Sequence, residues 1–146
     1  MFIHPFGAVK RITTPRTVFA GAKLDAGTAA LFERACLNCH SETTIWPWYS
    51  YLPPASWLVE RDVSQARANL NLSHWDEYTA VQREALLGVI AAAVRNHQMP
   101  PGRFTLLHPE AILSEPERVR IYNWARGERR RVKASLHMPV ASTRTP

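Results

Sequence analysis

The stretch Cys36-Leu37-Asn38-Cys39-His40 constrains this chain more than any other. Two thiols three residues apart project from neighbouring positions of a helical turn, and a histidine follows at once. One edge of a planar macrocycle can meet both sulfurs while the imidazole lies beneath its metal. This is the C-x-x-C-H attachment pattern of a c-type haem. The same residues admit a thioredoxin-type redox pair, half of a zinc site or a plain disulfide. A zinc site would need a second cysteine pair or other histidines to complete it, and the chain has only these two cysteines. A redox pair belongs in a βαβ setting, which the sequence does not offer. One covalently bound haem with His40 as an axial ligand is the leading reading.

At 146 residues the chain is long enough for one domain with its own core. The formal charge of +6 is uneven. Residues 127–146 hold five Lys or Arg against one acid, a net of +4, which leaves about +2 for the rest. No basic stripe with interleaved aromatics runs through the body, so a nucleic-acid partner is not expected. The basic tail reads as flexible and solvated, or as a docking segment for anionic lipid or an acidic protein face. The longest apolar run, Ala85 to Val94, is about half of what a bilayer span needs. Met1 to Phe6 lacks the basic flank, apolar region and cleavage site of an intact signal peptide. Because bacteria attach haem covalently outside the cytoplasmic membrane, an export signal or membrane anchor is expected before this numbering.

Met1 to Lys23 shows no helical period and reads as an extended arm, residues 1–24 in all. About four helices should follow in residues 25–126. The first begins at an Asp25 cap and runs to Cys39, with Ala29, Phe32 and Cys36 on one face. Residues 41–56 contain three prolines and four aromatics, Trp46, Trp48, Tyr49 and Tyr51. Such a stiffened loop beside the motif would wall off a porphyrin and lower the local dielectric, although ordinary core filling explains any single ring equally well. A carbonyl near Pro53 or Pro54 is a candidate acceptor for the second ring proton of His40. The second helix is expected from Trp57 to Leu70 with Ser56 as cap and Val59, Val63, Ala66 and Leu70 inward. Ser73 reads as a further N-cap. The third helix, Thr79 to His97, should turn Val81, Ala85, Val89 and Ala92 to one side. Pro100 disfavours the α conformation at Met99, which frees that thioether from the helix surface. Met99 is therefore the candidate sixth ligand of the iron, ahead of His97, His108 and His74. Ser114-Glu-Pro-Glu117 is a capping box opening the last helix, with Ile121, Trp124 and Ala125 inward and Gly127 ending it.

Six segments together are similar to a known family: Cys-x-x-Cys-His-Ser (36–41), Trp-Pro-Trp-Tyr-Ser (46–50), Pro-Ala-Ser-Trp-Leu (54–58), Asn-Leu-Ser-x-Trp (71–75), Met-Pro-Pro (99–101) and Leu-His-Pro-Glu-Ala (107–111). In this order they resemble the bacterial haem-binding domain family of monohaem c-type cytochromes, over residues 25–126. The resemblance implies a compact helical cytochrome c-like fold. It also implies attachment through Cys36 and Cys39, His40 as proximal and Met99 as distal ligand, and frequently an N-terminal membrane anchor.

The function expected from these readings is periplasm-side electron transfer by one haem c, without catalytic residues, between redox partner proteins. Two alternatives stand beside it. One is a haem peroxidase or small-gas-binding protein with an open sixth site, for which only Arg95 and His97 offer a loosely placed distal pair. The other is a cytochrome subunit docked in a larger membrane electron-transfer complex.

Overall fold

The computed structural model describes residues 17–138, and every regular element among them is helical. Six α-helices succeed one another: α1 (Ala26–Ala35), α2 (Leu37–His40), α3 (Ala55–Asn69), α4 (Ala80–Arg95), α5 (Gly102–Leu107) and α6 (Glu115–Leu136). Short 3-10 turns at Trp48–Tyr51, Leu72–Glu77 and Pro109–Ala111 link them. The all-α expectation holds, with two short helices, α2 and α5, in addition to the four foreseen.

Local chemistry explains most of the boundaries. Asp25 caps α1, its carboxylate accepting from the Thr28 amide at 3.0 Å. Thr79 with Gln82, and Ser114 with Glu117, form reciprocal capping boxes at the starts of α4 and α6. Proline in the first turn of α6 takes the one place where its missing N–H costs no hydrogen bond. Three starts and stops differ from expectation. α1 ends at Cys36, whose φ of −128° breaks the helix, and α2 restarts on the Cys36 carbonyl, which accepts from Cys39 and His40. α3 begins at Ala55 after Pro54, and Ser56 is buried inside the first turn instead of capping it. Ser73 lies within a 3-10 turn capped by Asn71.

The core forms where α4 and α6 pack antiparallel, with Arg129 on Glu84 at one end and Arg95 on Tyr122 toward the other. Leu87, Ile90, Ala91 and Val94 of α4 meet Ile121, Ala125 and Val132 of α6 in one buried cluster. The stripe expected to face inward on α4 faces out: Val81, Ala85, Val89 and Ala92 are all exposed. α4 is apolar on nearly every side, so its period cannot choose a face, and the strongly amphipathic α6 chooses for it.

α6 also corrects the reading of the C-terminus. It does not stop at Gly127 but continues nine residues to Leu136. A mid-helix glycine costs about 1 kcal/mol relative to alanine. The Glu-Arg-Arg-Arg segment that follows favours helix, and Val132 enters the core. Two of the tail's basic residues are tied down, Arg129 to Glu84 and Arg131 to Glu128 and the Gly21 carbonyl. Residues 139–146 of the expected tail lie outside the described residues, as do residues 1–16 of the expected arm and any signal before them.

The end of that arm is no loose strap. Residues 18–21 turn, and Phe19, at φ +52° and 2% exposed, enters the core. Its ring stands edge-on to Phe32 (4.8 Å), Trp75 (5.0 Å) and Trp124 (5.0 Å), while its amide donates to the Leu72 carbonyl at 3.1 Å. A brace beside it joins the two ends of the fold: Arg120 of α6 donates to Asp25 at 2.6 Å and to Thr28 at 3.2 Å. Gly27 permits this, because a Cβ there would collide with the Arg120 guanidinium.

Candidate functional site

α2 is one turn long and carries Asn38, Cys39 and His40 directly after Cys36. Polar bonds bracket it on its C-terminal side. The Ser41 side chain is fully buried and donates to the Leu37 carbonyl at 2.6 Å. Arg67, from α3, donates to the Ser41 carbonyl at 2.9 Å and to Thr44 at 3.0 Å, and Thr44 in turn donates to the Asn38 carbonyl at 2.7 Å. The turn is thus locked by three side chains that the motif itself does not contain, those of Ser41, Thr44 and Arg67.

Both cysteines are free thiols. Burial pushes the Cys36 thiol up to about 12, with the neighbouring Cys39 adding to the effect. Burial likewise raises Cys39 to about 11, reinforced by Asp62 and opposed by Arg103 and Arg67. Thiols held this far above neutrality stay protonated, the opposite of the low-pKa nucleophile on which a thioredoxin-type pair depends. Among the described residues no group of three or more His, Cys, Asp or Glu could hold a metal ion, so the motif is not part of a protein-only zinc site there.

His40 Nδ1 lies 2.9 Å from the Leu70 carbonyl oxygen. A carbonyl only accepts, so Nδ1 carries the proton and Nε2 presents its lone pair, which is the tautomer a metal-binding imidazole requires. The acceptor is not at Pro53 or Pro54 but at the C-terminal cap of α3, where a helix leaves carbonyls without intrahelical partners. Two protonated thiols beside an imidazole fixed in the ligating tautomer form a donor set that fits a haem.

The aromatic loop divides. Trp48 is 76% exposed and stands edge-on to Tyr49 at 5.9 Å, projecting into solvent instead of filling the interior. Trp46 and Tyr49 are half-buried. The Tyr49 phenol is held above its usual range by burial, then by Cys39 and Glu110, which places it near the second cysteine. Its hydroxyl lies 2.6 Å from Nε2 of His108, whose Nδ1–H donates to Glu110 at 2.9 Å. Phe104 of α5 stacks on the same imidazole at 4.4 Å. A bidentate pair from Arg103 to Asp62, both bonds 3.0 Å, ties α5 to α3.

Met99 follows the end of α4 and is 38% exposed. The histidines that compete with it by sequence are engaged elsewhere: His108 as above, His97 with Glu115 at 3.3 Å, and His74 between Glu42 and Glu77. Those two carboxylates raise the pKa of His74 through their hydrogen bonds, Glu77 first. A raised histidine stabilises the fold fully below its unfolded value of about 6.5 and loses that contribution as pH rises through the folded value. The melting temperature of the unmutated protein minus that of His74→Gln should therefore be largest in mild acid and shrink as pH rises above neutrality. A difference independent of pH would show that the bracket does not titrate.

Sequence reasoning missed Leu70, Arg67 and His108's partners. Leu70 acts through its own carbonyl and Arg67 donates to that of Ser41, and backbone acceptors have no sequence signature. Tyr49 and His108 stand 59 residues apart, and each sits in a segment already marked by the family resemblance.

The comparisons support haem binding. The family model described as haem-binding domain matches residues 1–127. The chain is similar to "Cytochrome c peroxidase Ccp" of Escherichia coli (strain K12), 29% identical over 108 residues. That match covers 72% of this chain and 23% of the relative, so the chain spans about a quarter of the length of the relative it matches. No solved structure matches. The chain belongs to the haem-binding domain family.

Proposed function

We propose that the protein is an electron-transfer module carrying one haem c, with thioether bonds to Cys36 and Cys39, His40 as proximal ligand and Met99 as distal ligand. The observation that carries the reading is the 2.9 Å hydrogen bond between His40 Nδ1 and the Leu70 carbonyl, on the same one-turn helix that carries Cys39 directly after Cys36. When bound, the haem supplies a reversible ferric/ferrous couple. The chain's own residues attach it, orient the imidazole through Leu70 and set the access of water through Trp46 and Tyr49. Cys36 and Cys39 would hold the haem covalently through their sulfurs.

Met99 is favoured as the sixth ligand because the competing histidines are already bonded and its thioether follows directly on the end of α4. The open-site alternative lacks its distal pair: Arg95 donates to Tyr122 at 2.8 Å and lies 5.1 Å over that ring, and His97 faces Glu115. We place the module on the periplasmic side, where thioether attachment occurs, delivering electrons to a partner protein or to a membrane complex. Among the described residues no helix is long and apolar enough to cross a membrane, so anchoring would fall to a segment outside them or to the basic C-terminal end.

The test is the near-infrared absorption band that a thioether gives with ferric haem. It should be present in the unmutated protein. In Met99→Ala it should vanish and the potential should fall, while haem stays covalently attached. A ferric spectrum lacking the band before any substitution overturns the axial assignment; rapid cyanide binding to high-spin iron would favour the open-site alternative.

A further inference from the structure

Met99 offers a neutral thioether on an irregular segment between α4 and α5, and the structure shows how that segment is held. α4 ends at Arg95, and the chain then folds back on its own last turn: the amides of Gln98 and Met99 both donate to the Ala93 carbonyl, at 2.9 and 3.2 Å. The carbonyls of Val94 and Met99 converge on one atom of another helix. Nη1 of Arg118, in the first turns of α6, donates to the Val94 oxygen at 3.2 Å and to the Met99 oxygen at 3.0 Å. The Arg118 side chain is only 12% exposed. Its carboxylate neighbour Glu115 stands 3.8 Å from Nε and also meets His97, so the same turn of α6 holds the segment at two places.

A cation at these oxygens is well placed. The end of a helix carries partial negative charge on its unpaired carbonyls, and a guanidinium completes both the charge and the hydrogen bonds. Charge-assisted hydrogen bonds are stronger than neutral ones. Here the Arg118 bond holds the Met99 C=O to α6 while the Met99 N–H is held by the Ala93 carbonyl of α4, and Pro100 beside it is buried. Only the thioether is left to move.

We propose that Arg118 is a positioning residue for the sixth ligand: it pre-orders the Met99 segment so that the thioether stays on the iron against competing ligands. This rests on the reading of Met99 as that ligand. A thioether binds ferric iron weakly, so its occupancy depends on how little ordering entropy remains to be lost when it binds. Without the Arg118 clamp, the segment recovers conformers in which the sulfur is displaced and the sixth position opens.

The experiment uses the haem-loaded protein and imidazole as the probe. Arg118→Leu should weaken the near-infrared thioether band and raise the affinity of the ferric protein for imidazole by about ten- to a hundredfold, the scale of one lost charge-assisted hydrogen bond. Haem content after denaturation should be unchanged. Arg120→Gln is the control: it cuts the brace to Asp25 and Thr28 on the same helix, and should lower the melting temperature without moving the band or the imidazole affinity. If Arg118→Leu does not fold, Arg118→Gln carries the same comparison with a neutral donor. An unmutated protein without the band overturns the Met99 reading and this inference with it. A band and an imidazole affinity that survive loss of the Arg118 charge overturn the inference alone.

Discussion

Phe19→Ala is expected to cost about 3–5 kcal/mol of folding stability, the range for emptying a buried phenylalanine site. A domain of this size has about 5–15 kcal/mol in total, so the variant should sit near the edge of unfolding at ambient temperature. The size of the loss follows from geometry. Three rings from three separate stretches of chain, Phe32, Trp75 and Trp124, meet the Phe19 ring at 4.8–5.0 Å, and none of them can close the void without leaving its own neighbours. The backbone at φ +52° adds to the argument, since that region is costly for a non-glycine residue and the packed ring offsets the cost. Urea unfolding followed by far-ultraviolet circular dichroism measures the loss. An unfolding free energy within about 1 kcal/mol of the unmutated protein would mean that residues 17–24 are not part of the folded unit.

The second large effect is chemical. Replacing Cys36 and Cys39 together by serine should abolish covalent haem, because a hydroxyl does not add to a vinyl group as a thiol does. The haem stain of the polypeptide after denaturing electrophoresis should disappear completely, and acidified organic solvent should extract all of the pigment. Single replacements should each leave one bond and thus a stained polypeptide. Retention of the stain in the double variant would refute thioether attachment. Both thiols are half-buried and raised well above neutrality, so serine at these positions changes neither the charge nor much of the volume of the turn.

The parts of this molecule that were legible in its sequence are those written in consecutive residues. The Cys36–His40 motif, the Asp25 cap and the Ser114–Glu117 box are local arrangements whose partners lie within four positions. The parts that were not legible depend on where distant backbone comes to rest. The acceptor for His40 was sought near Pro53 and Pro54 because prolines mark the loop, yet the chain brings Leu70 there by ending α3. The inward side of α4 was chosen by period in a helix that has almost no polar side, and the choice belongs to α6. Gly127 looked like a stop signal, but a terminal glycine and a mid-helix glycine read alike until Val132 is seen to be buried beyond it. Trp48, grouped by sequence with Trp46 and Tyr49, is the one of the three that faces water.

The bond from His40 to the Leu70 carbonyl has a consequence for heredity. Where an axial histidine leans on a carboxylate, one codon change can remove the partner. Here the partner is a peptide oxygen, present whatever side chain stands at position 70. No single amino-acid replacement deletes it; only a change that moves the end of α3 can do so. The bond to Nδ1 therefore depends on where α3 ends and not on which side chain stands at position 70.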